Sequence, residues 1–125
     1  MHCEIGDIVL ADKYEYPDGT EGKYHNFVIM DIERDEITVV PLEYFGFTIS
    51  SQVEKNNTVN KNYPYNEPIT PDEENRLKKD SHVKCDELVV IKPANVIMKW
   101  GSVTISQYER FMDLYEKSLA ESSKA

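Results

Sequence analysis

The sequence predicts a single, mostly β domain that bends into a small barrel and carries helices. Three observations support this. Short apolar runs alternate with turn-forming Pro, Gly, Asn and Asp. The last stretch, from Thr104 on, switches to helical spacing. A chain of 125 residues fits one domain and hides roughly two-thirds of its unfolded surface without disulfides or metal.

Taken in order, Ile5, Ile8, Val9 and Leu10 mark a first strand over residues 5–11. A loop from about Lys13 to Lys23 follows, centred on Tyr16-Pro17-Asp18-Gly19-Thr20. There Pro fixes φ and Asp-Gly supplies a residue tolerant of positive φ. Phe27-Val28-Ile29-Met30-Asp31-Ile32 is a nearly continuous apolar run, as expected of a strand covered on both faces. After a charged turn at Glu33 to Glu36, residues 37–42 read as the next strand, with Pro41 suited to a strand end or edge.

From Ser50 to Asp80 the chain turns polar, with Asn56, Asn57, Asn60, Asn62, Pro64 and Pro68 as repeated turn formers. Loops this long are uncommon in compact domains unless they do something. Within the excursion, Thr70-Pro71-Asp72-Glu73 offers an N-cap, a Pro at the first helical position and a capping acid, which predicts a short helix over 71–78. Residues 81–91 and 95–100 give the last strands, separated by Lys92-Pro93-Ala94-Asn95. Thr104 and Gln107 then form a capping box, with Val103 placed to staple onto Tyr108. Tyr108, Phe111, Met112, Tyr115 and Leu119 define one apolar helix face, and the tail frays from about Ser118. Many short strands, a closing helix and few glycines describe an SH3-like barrel, one domain over residues 1–125.

The formal charge is −9, with 23 acids against 14 bases. That balance argues against a protein that wraps nucleic acid, because phosphate binding draws on cationic neutralisation. The acidity is concentrated in the first fifty residues. Lys55, Lys61, Arg76, Lys78, Lys79, Lys84, Lys92 and Lys99 lie in a central region of balanced charge, and form either a local basic groove or a solvated face. Cys3 and Cys85 form no CxxC pair and no disulfide framework, and Cys85 reads as a small buried hydrophobe. No apolar run approaches the ~20 residues of a membrane span, and no leader pattern opens the chain, so a cytoplasmic protein is expected.

Two stretches, Gly6-Asp7-Ile8-Val9-Leu10 and Asp80-Ser81-His82-Val83-Lys84-Cys85-Asp86-Glu87-Leu88, resemble the PemK/MazF-like toxin family. Its best-known members are small barrel proteins acting as metal-free endoribonucleases. In that family a GDIV-type strand precedes a polar Gly-rich loop, a strand opened by a basic residue, a Thr or Ser after the next strand, and a DSxVxCD-type strand. All of these can be placed here in order, from residue 6 to about 119. The resemblance implies the toxin of a toxin-antitoxin pair: a homodimeric hydrolase of single-stranded RNA, without cofactor or metal, held by a cognate antitoxin.

Metal-free RNA cleavage needs a base for the 2′-hydroxyl proton, an acid for the leaving 5′-oxygen, and positive charge or donors on the phosphorane. Aligning the GxxRP part of the family's GxxRPxxVI pattern on Gly22-Lys23-Tyr24-His25-Asn26 places His25 where the family has Arg and Asn26 where it has Pro. Two readings are open. His25, since an imidazole can serve as either proton donor or acceptor, divides the work with Lys23 as fixed charge; or the cation is lost, and the protein is a catalytically degenerate barrel module binding a protein or peptide partner. Ser51 aligns with the family Thr/Ser, with Ser50 one register step away, and its hydroxyl would hold a phosphate oxygen rather than attack. Tyr24, Tyr63 and Tyr65 are candidates to stack unpaired bases, and Lys84 to contact phosphate. His2 and His82 lack ligand-spaced neighbours, and no GxxxxGK[ST] or GxGxxG cradle occurs.

Overall fold

The computed structural model describes residues 2–51 and 63–122. The part of the polar excursion with Lys55, Asn56, Asn57, Asn60, Lys61 and Asn62 lies outside them. Among the described residues seven antiparallel strands form one sheet: β1 (Asp7–Glu15), β2 (Glu21–Arg34), β3 (Pro41–Ser50), β4 (Asn66–Ile69), β5 (Ser81–Lys84), β6 (Val89–Ile91) and β7 (Val96–Ser102). A 3₁₀ turn (Pro93–Asn95) precedes β7, and helix α1 (Ile105–Ser122) follows it. No helix among the described residues is long and apolar enough to cross a membrane.

β1 and β3 each have neighbours on both sides. β2 pairs with both of them. On its other side β3 pairs with β6 through Tyr44–Gly46 and with β5 through Ile49 and Ser50. β1 in turn pairs with β7, and with β6 at Glu15↔Val90. The pairings therefore run in a circuit from β1 through β2, β3 and β6 back to β1.

Period-two alternation along β2 divides the core. Phe27 and Ile29 belong to a cluster with Val9, Ala11, Tyr14, Tyr44, Val89 and Ile91. Val28 and Met30 belong to a second with Ile8, Phe47, Ile49, Val83, Phe111 and Leu114, which binds the sheet to α1. The apolar run at 27–30 is thus covered on both faces, as its composition predicts. Cys85 is buried as expected, and burial pushes its thiol pKa upward.

The loop expected at 13–23 is largely strand. Tyr14 sits over Gly22, where a Cβ would overlap its ring, and this contact pulls Lys13–Glu15 into register with Glu21–Lys23. The turn shrinks to residues 16–20, closed by Tyr16 N–H donating to Thr20 O (2.8 Å). The strand expected at 37–42 starts instead at Pro41. Asp35 Oδ1 accepts from the backbone N–H groups of Ile37 (2.9 Å) and Thr38 (2.8 Å), and Val39 takes φ 62°, so the β-branched run forms an exposed hairpin tip.

The helix expected at 71–78 is a single turn. Asp72 caps it, accepting from Glu74 N–H (2.9 Å) and Asn75 N–H (2.7 Å). Asn75 Oδ1 then accepts from Leu77 N–H (2.9 Å), the group a helix would give to the carbonyl four residues earlier, and Arg76 enters the left-handed region at φ 55°. At α1 the expected box forms: Thr104 N–H donates to Gln107 Oε1 (2.8 Å) and Gln107 N–H to Thr104 Oγ1 (3.1 Å). The buried helix face is Phe111, Leu114 and Ser118, whereas Leu119, expected inside, is exposed.

Candidate functional site

The last β2–β3 pair at this end of the sheet is Asn26↔Ile49. Before it β2 runs along β1 alone, and after it β3 leaves to pair with β5, so the two strands part and leave an open cleft of about 410 Å³. Its walls include His25, Asn26, Ser50, Ser51, Leu77 and Ser81, with Tyr24 at its margin. His25 on β2 and Ser50 on β3 are the next residues beyond the Asn26↔Ile49 pair, and both line the opening. The histidine and both serines singled out by sequence therefore meet at one opening.

His25 is half-buried. Its Nδ1 lies 3.1 Å from the carbonyl oxygen of Asn26. A carbonyl can only accept, so this contact is made with the hydrogen on Nδ1, the tautomer whose Nε2 is a proton acceptor. The ring is steadied by an edge contact to Tyr14 (centroids 6.1 Å apart) and a tilted one to Phe27 (5.8 Å). Asn26 Oδ1 accepts from Trp100 Nε1 at 2.9 Å, which fixes the cleft wall beside it. The Ser81 hydroxyl donates to Lys79 O (3.0 Å) and is structural, whereas Ser51 is exposed.

Tyr24 is 70% exposed and adopts φ 48°, a conformation uncommon for an aromatic residue. Strain of this kind clusters at binding sites, and here it turns the ring outward beside His25. Lys23 is exposed two residues before His25 and is not part of the cleft wall. Lys84 pairs with Glu87 at 3.5 Å, Tyr63 is exposed, and the Tyr65 hydroxyl donates to Glu121 of α1; none of the three lines the cleft.

His82 is a residue that sequence spacing did not single out for proton chemistry. It pairs with Ser50, a residue of the cleft wall, across β3–β5. Burial lowers its imidazole pKa from the ordinary 6.5. The signal was the alternation in Ser81-His82-Val83-Lys84, which turns His82 away from buried Val83, but its neighbours depend on strand order. Among the described residues no group of three His, Cys, Asp or Glu side chains is arranged around a metal site.

No protein-family model matches the sequence, and no curated protein matches it. Among solved structures the chain is similar to the Mycobacterium tuberculosis toxin MazF-mt6, with a TM-score of 0.62 and 16% sequence identity. The likeness covers 91% of this chain and 96% of that one. At that identity it is a likeness of fold, and the chain has the PemK/MazF-like fold that its sequence motifs imply.

Proposed function

We propose that the protein is the toxin of a toxin-antitoxin pair, a metal-free endoribonuclease acting on single-stranded RNA. The observation that carries the proposal is the meeting of His25 with Ser50 and Ser51 at one open cleft. The likeness in fold to a MazF toxin supports it. In the reaction His25 Nε2 takes the 2′-hydroxyl proton, the 2′-oxygen attacks phosphorus, and the bond to the 5′-oxygen breaks. The imidazolium, or water in the open cleft, returns a proton to that oxygen. The products are a 2′,3′-cyclic phosphate and a free 5′-hydroxyl. Ser51, with Ser50 beside it, donates to a non-bridging oxygen, and Lys23 adds positive charge at the rim. Exposed Tyr24 is placed to stack a base. The homodimer and the cognate antitoxin follow from the resemblance to the family, and cytoplasmic action from the substrate.

The test is incubation of purified protein with mixed single-stranded RNA in EDTA. Cleavage that falls about 10²-fold or more in His25→Ala is expected, the range for loss of a positioned proton-transfer group. Absence of cleavage from pH 5 to 9 would leave the non-catalytic barrel module, the reading favoured by the missing Arg-Pro.

A further inference from the structure

A second cleft of about 270 Å³ adjoins the first and shares Asn26, Ser51, Leu77 and Ser81 with it. What it adds is Arg76, Lys78, Lys79 and Trp100. Three cations and no acid line it, in a chain whose net charge is −9. All three are exposed, and among the described residues none is in an ion pair, unlike Arg34, Lys84, Lys92, Lys99 and Arg110.

These cations stand on a rigid base. Asn75 is fully buried; its Oδ1 accepts from Asp72 N–H (3.0 Å) and Leu77 N–H (2.9 Å), and its Nδ2 donates to Thr70 O (2.9 Å). The turn is seated on β7 by Ser102 N–H donating to Glu74 O (2.9 Å), at a place where a Cβ on Gly101 would overlap that oxygen. Arg76, at φ 55°, then redirects the chain so that residues 76–79 face the cleft. Trp100 is half-buried with its N–H committed to Asn26, which leaves an indole surface at the wall.

We propose that this cleft is a nucleotide subsite for single-stranded RNA: Arg76, Lys78 and Lys79 hold the phosphates flanking the scissile one, and Trp100 packs against a neighbouring base. The inference rests on the RNA-cleaving reading and supplies what that reading lacks, a local source of cationic charge in an acidic chain. Unpaired cations beside an aromatic surface are the combination that single strands require.

The experiment is equilibrium binding of a short, uncleavable 2′-O-methyl RNA, followed by fluorescence anisotropy as salt is raised from about 50 to about 200 mM. The chains compared are wild type, Lys78→Gln/Lys79→Gln, and Lys117→Gln on exposed α1 as a charge control. A single-strand phosphate contact contributes about 0.7 to the slope of log K against log salt. The double variant is therefore expected to lose about 1.4 of slope and to bind several-fold more weakly, with unchanged melting, while Lys117→Gln leaves the slope intact. An unchanged slope in the double variant overturns the subsite even if His25-dependent cleavage is found. RNA binding that depends on both lysines, with no cleavage of the unmodified RNA, upholds single-strand binding in this cleft and rejects the nuclease reading. Equal, lysine-dependent binding of polyglutamate would overturn the assignment to RNA in favour of an acidic protein segment.

Discussion

Replacing Asn75 with Ala removes the group on which the 72–77 turn is built. The carboxamide makes three hydrogen bonds from a fully buried position, to Asp72 N–H, Leu77 N–H and Thr70 O. Each contributes about 1 kcal/mol net, and partners left unsatisfied in the interior raise the cost, so a loss of about 3 kcal/mol is expected. Unfolding entropy near 2.1 cal/mol/K per residue over 125 residues comes to about 0.26 kcal/mol/K. The melting temperature should therefore fall by about 11 °C. Urea unfolding with the slope held common to both chains gives the free energy directly. A loss below about 0.5 kcal/mol would refute the reasoning, because a surface turn held by nothing buried behaves that way. Even a smaller loss of stability should loosen the platform under Arg76, Lys78 and Lys79.

Gly22→Ala places a methyl inside the Tyr14 ring position, and forcing that ring away is expected to cost about 1–3 kcal/mol in urea unfolding. Cleavage should fall with it, since Tyr14 also packs on His25. Thr104→Ala opens the capping box of α1 and should cost about 1 kcal/mol, or about 4 °C of melting temperature. The folded-state pKa of His82 lies below its unfolded value, so its contribution to stability is fully present above the ordinary 6.5 and is lost as pH falls through the lowered value. His82→Gln should flatten the dependence of unfolding free energy on pH below neutrality; an unchanged curve would place the burial effect elsewhere.

Where one local pattern had no competitor, sequence was enough. Phe27 to Met30 reads as a doubly covered strand because the run is short and rich in aromatic and β-branched residues, and Thr104 with Gln107 reads as a helix start because the box is self-contained. Where two local preferences competed, the side-chain hydrogen bonds prevailed. Asp35 overrode the β preference of Ile37 to Val40 by holding two backbone N–H groups in a turn. Asn75 overrode the helix signal at Thr70-Pro71 by taking the N–H of Leu77. Motif order pointed to His25 on β2 and the serines at the end of β3, adjacent strands whose ends line one cleft. His82 and the cationic turn could not be read in the same way. Their positions depend on which edge of β3 receives β5 and on how the turn seats at Gly101, contacts between residues distant in sequence.

The most direct test of the central claim, that His25 and the serines beside it form one phosphodiester site, is end-group analysis of RNA cut by wild type, His25→Ala, Ser50→Ala and Ser51→Ala. Wild type is expected to leave 2′,3′-cyclic phosphate and 5′-hydroxyl ends, with His25→Ala slower by about 10²–10⁴-fold and at least one serine variant also slowed. Ends bearing 5′-phosphate, or His25→Ala cutting at the wild-type rate, would contradict the account.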